Sequence, residues 1–215
     1  MADNNSKRKN DPDLTQTLIL DAATCEFAEN GFDGARVDRI AQRANVNKQL
    51  IYYYFTNKDE LFTRTLELAY QNIRTHEAQL KLDSLPANLA ILKLVEFTWE
   101  YYLKHPEFIQ LLNSENQMKA RHIATSSVAF KINQPWLLLA NQLIERGIQE
   151  GNIRPNINAM QLNISISALG FFYLINQSTL SFIYNKDLMS QSALKERLAV
   201  IKETITCWIS PPEQK

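Results

Sequence analysis

The chain has 215 residues, 45% of them apolar and 21% charged, with 23 basic and 23 acidic side chains and a formal net charge of zero. That mix excludes a disordered polyelectrolyte, and zero net charge gives no global reason to expect nucleic-acid binding. Only 5 Gly and 7 Pro disfavour a turn-rich β fold and point to helices.

Residues 1–12 are polar, with a Lys7-Arg8-Lys9 cluster, and are expected to form an arm. No apolar stretch follows that cluster, so it is not a secretory signal, and no apolar run approaches the roughly 18–20 residues of a bilayer span. The chain is read as cytoplasmic. From Leu14, apolar residues recur as Leu14, Leu18, Ala22, Cys25 and Phe27/Ala28, a helix that Asn30-Gly31 closes. Cys25 and Cys207 both lie in apolar helical contexts and are expected as buried free thiols. Val37, Ile40, Ala41 and Ala44 mark a helix of about two turns. Asn45-Val46-Asn47 forms a tight turn, with Asn47 as N-cap of Lys48–Phe55. Thr56-Asn57 caps a long helix with the stripe Phe62, Leu66, Ala69, Ile73, His76 and Leu80. Pro86 opens the next, with the stripe Leu85, Leu89, Leu92, Glu96, Trp99 and Leu103. His105-Pro106 ends it. Further helices are expected from Glu107 to about Arg121, from about 126 to 150, over 158–184 and over roughly 190–208. Nothing alternates with period two, so the chain reads as all-α.

Val37 to Phe55 has the pattern of a helix-turn-helix, whose second helix enters the DNA major groove. Local charge favours this reading. Arg36, Arg39, Arg43, Lys48 and Lys58 face a single acid, Asp38, giving +4 between residues 36 and 58. At 100° per residue, Ile51 and Phe55 share the face packed on Ile40, Ala41 and Ala44, leaving Gln49 and Tyr53 outermost. Tyr52 flanks that face, and Tyr54 lies toward the edge where it could meet a phosphate. Three consecutive helical tyrosines cannot share one face, so each should have its own role. The competing reading, an aromatic edge of a small core, suits one tyrosine better than three. The expected DNA contacts are Arg36, Val37, Arg39, Lys48, Gln49, Tyr52, Tyr53, Tyr54 and Lys58.

GFDGARVDRIAQRANVNKQLIYYYFTNKDEL carries Gly31-Phe32, Ile40-Ala41, Val46, Ile51-Tyr52-Tyr53-Tyr54-Phe55, Lys58 and Leu61. On these residues the stretch of about 14–61 resembles the DNA-binding module of TetR-family transcriptional regulators. Three positions depart from the family pattern. Asn45 stands where Gly is common, the Ser or Thr cap near Ala35-Arg36 is missing, and Gln49 replaces a small residue or proline. Gln49 is long enough to read an adenine edge. The resemblance implies a three-helix DNA-binding domain over 13–60 and a helical ligand-binding and dimerisation domain over 61–210. It also implies a homodimer on a near-palindromic operator, with recognition helices about 34–36 Å apart. Release by a small molecule, with repression the commoner mode, would follow.

In that larger region, Met160, Ile164, Ala168, Phe171 and Ile175 form one apolar stripe; Leu162, Ile166, Leu169 and Tyr173 form another. A helix apolar on two sides must be buried on both. With Leu194, Leu198, Ile201, Ile205 and Trp208, it could build a four-helix interface between two copies, or else a thick monomer core. Polar groups within apolar stripes nominate a ligand pocket: His76, Trp99, Tyr102, His122, Trp136 and Asn176, with His105, Glu115, Asn116, Lys119 and Arg121 concentrated nearby. Taken singly, each is more often a surface or satisfied core residue. No nucleotide-binding, hydrolase or zinc motif occurs, so no catalytic role, cofactor or metal is expected. The alternative functions are a helical small-molecule or lipid carrier without sequence-specific DNA binding, and a helical scaffold for another protein.

Overall fold

The computed structural model describes residues 12–212; the Lys7-Arg8-Lys9 cluster lies outside them. Among the described residues every regular element is helical. They are α1 (Pro12–Gly34), α2 (Val37–Ala44), α3 (Lys48–Tyr54), α4 (Lys58–Glu77), α5 (Ala87–Lys104), α6 (Pro106–Gln117), a 3₁₀ turn (Ile123–Thr125), α7 (Ala129–Gln149), α8 (Ala159–Ile175), α9 (Gln177–Ile183) and α10 (Gln191–Ile209). They form two compact units that are not contiguous along the chain: residues up to Tyr70 with Gln110–Ala129, and Gln71–Ile109 with Phe130 onward.

The first unit closes around Ile19, Ala23, Phe27, Phe32, Ile40, Ile51, Phe55, Leu61, Phe62, Leu66 and Leu111. The Phe27 and Phe62 rings meet edge-on at 4.8 Å. Gly31 takes φ 64°, ψ 178° inside α1, where a side chain would be strained, and so turns Phe32 into this core. The Phe32 amide then donates to Ser114 Oγ at 3.1 Å. The buried face of α1 differs from the expected stripe. Leu14, Leu18 and Cys25 are exposed, while Thr15, Ile19, Ala22, Ala23, Glu26 and Phe27 are buried. Cys25 is therefore a surface thiol, and Cys207 is too. The cause is Glu26: a carboxylate that arginines satisfy can be buried, which shifts the inward face by one residue.

The second unit packs α5, α7, α8 and α10 around Ile91, Leu94, Val95, Trp99, Trp136, Leu143, Leu162, Ile166, Ile201 and Ile205. On α5 the buried row is Ala87, Ala90, Ile91, Leu94, Val95, Thr98, Trp99 and Tyr102, and Leu89 faces out. The expected start near 126 is the cap of α7, since Ser126 Oγ accepts from the Ala129 amide at 3.0 Å. Asn158 and Ser190 cap α8 and α10 in the same way. The helix expected over 158–184 is broken at Asn176 into α8 and α9, bent by 68°. No single described helix is long and apolar enough to cross a membrane.

Candidate nucleic-acid interface

The α2–α3 turn forms because Asn45 accepts the left-handed conformation (φ 53°, ψ 44°) and Asn47 Oδ1 accepts from the Leu50 amide at 2.7 Å. The 3.6-residue period then fixes what α3 shows. Ile51 is 1% exposed and Phe55 3%, both in the core. Gln49 is exposed, Tyr52 is 45% exposed and Tyr53 is 79% exposed. Tyr54 is half-buried against the core and meets the Tyr53 ring at 5.1 Å. The three tyrosines thus sit in three environments.

Two of the nominated residues serve the fold. Val37 is buried in the core, so its side chain offers DNA nothing. Arg39 donates Nε to Glu26 at 2.6 Å and a terminal nitrogen to the Gly34 carbonyl at 2.7 Å. Arg36 is exposed, and its amide donates to Glu26 at 3.0 Å. Burial works to raise the Glu26 carboxyl, but the Arg39 and Arg36 hydrogen bonds and the nearby guanidinium charges hold it below the usual range. Lys58 lies 4.7 Å from the Phe32 ring centroid, and partial burial pushes its ammonium below the ordinary lysine value.

The local charge is also smaller than the 36–58 window implied. Glu26 and Glu29 of α1 reach the arginines of α2: Glu26 contacts Arg39 and Arg43, and Arg43 donates to Glu29 at 3.0 Å. Counting residues 26–58, five bases meet Glu26, Glu29, Asp33 and Asp38, for a net +1. Sequence reasoning missed Glu26 and Glu29 because they precede the motif. Their i, i+3 spacing on the helix packed against α2 was the available signal.

The nominated pocket residues divide between the units. His122 belongs to the first, 3% exposed, with Nδ1 2.8 Å from Glu115 and Nε2 3.2 Å from Asp59. Glu115 also accepts from the His122 and Ile123 amides at 2.7 and 2.8 Å, so this cluster ties the segment after α6 to the start of α4. It borders an open cleft of about 440 Å³ lined by Asn57, Asp59, Glu60, Thr63, Arg121 and Thr125. In the second unit Trp99, Tyr102 and Trp136 are buried. Trp99 and Tyr102 close over Gly170, where an added Cβ would meet them at 3.5 and 3.3 Å. His76 is exposed, its Nδ1–H donating to the Asn72 carbonyl of its own helix; the helix turns Glu77 inward instead. Asn176 is the joint between α8 and α9, its amide donating to the Phe172 carbonyl at 2.9 Å.

Residues 19–65 match the family model described as bacterial regulatory proteins, tetR family, and residues 88–205 match the tetracyclin repressor-like C-terminal domain. The chain belongs to the tetR family. As a member it is a DNA-binding transcriptional regulator. This regulator is 34% identical over 196 residues to the HTH-type transcriptional repressor NicS of Pseudomonas putida, covering 91% of this chain and 92% of that one. It is 39% identical over 103 residues to the repressor SCO4008 of Streptomyces coelicolor, 47% of this chain and 50% of that one. Its fold is shared with a tetR-family regulatory protein from Rhodococcus RHA1 (TM-score 0.70, 14% identity, 93% and 98% covered). It is also shared with FadR from Bacillus subtilis, solved with stearoyl-CoA (TM-score 0.66, 17% identity, 90% and 98% covered).

Proposed function

We propose that the regulator is a homodimeric repressor of a palindromic operator, released from DNA by a small molecule bound in its second unit. It acts in the cytoplasm. The observation that carries the dimer is an apolar surface on α8 and α9 that stays exposed among the described residues. Met160 is 53% exposed, Ile164 50%, Phe172 59% and Phe182 88%. Large apolar side chains exposed in this way mark an interface, and a second copy supplies the self-complementary partner that two-fold symmetry requires. The α10 stripe supports this less than expected, because Ile201 and Ile205 are spent on the chain's own core.

DNA contact is assigned to Arg36, Lys48, Gln49, Tyr52, Tyr53 and Lys58, with Gln49 and Tyr53 reaching base edges. The effector is assigned to the neighbourhood of Trp99, Tyr102 and Trp136. The Arg74–Glu77 pair, 2.6 Å apart with Glu77 buried, supplies a polar end there. Repression is drawn from the two repressors that the chain resembles.

Selection of random duplexes by the purified protein, over several salt concentrations, tests the reading. A retained palindrome, bound more weakly as salt rises and lost in Tyr52→Ala or Lys58→Ala, supports it. Sedimentation of Ile164→Glu with Phe172→Glu should show a monomer that no longer holds the palindrome. A wild-type monomer at micromolar concentration would sink the dimer. Effector-dependent release is then read by anisotropy on the recovered operator. Binding of small apolar molecules with no duplex retained at any salt would favour the carrier.

A further inference from the structure

Lys48 opens α3, one residue before the exposed Gln49. Its ammonium lies 2.9 Å from Asp38 Oδ1, on the first turn of α2. Little in the fold needs this pair. The side chains are 46% and 71% exposed, a setting in which ion pairs add little stability. The start of α3 is already held by the Asn47 cap at 2.7 Å. What the pair does is occupy a cation at the start of the helix proposed to face DNA. A carboxylate and a phosphate offer an ammonium the same kind of anionic oxygen acceptor. A phosphate therefore either shares Lys48 with Asp38 or displaces it, and in both cases gains less than it would from neutralising a free cation. Asp38 also brings its own negative charge to the phosphates.

We infer that Asp38 is a specificity-determining residue, an internal phosphate mimic that keeps Lys48 from binding DNA of arbitrary sequence. On an operator, base contacts by Gln49 and Tyr53 seat α3, and Lys48 meets a phosphate while still sharing its charge with Asp38. On scrambled DNA phosphates are the only partners, and Asp38 withholds Lys48 from them. This rests on α3 being the DNA-facing helix.

The test compares wild type, Asp38→Asn, Lys48→Met and the double variant as full chains, by anisotropy on a labelled scrambled duplex and on the operator recovered by selection. Asp38→Asn should bind the scrambled duplex about fivefold more tightly at about 50 mM salt. Its plot of log affinity against log salt should be steeper by about one. The operator should gain less, so discrimination falls. In the Lys48→Met background the gain should fall to the smaller part that Asp38's own charge contributes. Equal gains on both duplexes, no gain on the scrambled one, or a full gain without Lys48 would each overturn the inference. If neither wild type nor variants bind any duplex, the assignment of α3 to DNA fails, and this inference with it.

Discussion

Glu77 ends α4 inside the second unit, its side chain 6% exposed, 2.6 Å from Arg74 and hydrogen-bonded to Trp136. Burial dominates, and its carboxyl is raised from 4.5 to about 7 despite the Arg74 charge. The folded state therefore holds this proton more tightly than the unfolded chain. Between the two values the native state carries more bound proton, so stability falls as pH rises. The contribution is complete below the unfolded value near 4.5 and lost once pH has passed about 7. At about 1.4 kcal/mol per pH unit, that interval amounts to about 3 kcal/mol. Urea unfolding of wild type and Glu77→Gln at intervals from about pH 5 to about pH 8 isolates this group, because other titrations cancel in the difference. Relative to the variant, wild type should lose about 2.5 kcal/mol across that range. A difference that stays constant would refute the reasoning, since it would mean that the Arg74 pair keeps Glu77 ionised throughout.

The tyrosines of α3 should separate binding from folding. Tyr53→Ala should weaken operator binding about tenfold and leave the urea midpoint unchanged, whereas Tyr54→Ala should lower unfolding free energy by about 1–2 kcal/mol. Loss of stability in both would mean that they form one aromatic edge. Gly147→Ala would place a Cβ 2.3 Å from Ile153 Cδ1 and 2.9 Å from its Cβ. This overpacking should cost about 1–3 kcal/mol in thermal or urea unfolding, and a neutral result would show that the 151–156 loop yields freely.

The helical class, the α2–turn–α3 motif and the inward pair Ile51 and Phe55 were legible in the sequence. Each depends on residues within a few positions of one another: apolar spacing, an Asn able to turn left-handed, a cap. The outward face of α3 was legible for the same reason, because helical rotation alone sets it. Charge was not. Glu26 and Glu29 reduce a +4 window to +1 only because α1 packs on α2. The surroundings of His76 and His122 were hidden for a related reason. His76 and Glu77 are neighbours in sequence, and only packing decides that Glu77 turns in and His76 out. His122 was nominated for the second domain, yet chain folding returns residues 110–129 to the first unit, where Glu115 and Asp59 await it. Local chain chemistry thus determined the elements and the outward face of α3. The burial of Glu26, the exposure of Cys25 and the partners of His122 were decided by tertiary structure, because a polar group can be buried only where a distant residue satisfies it.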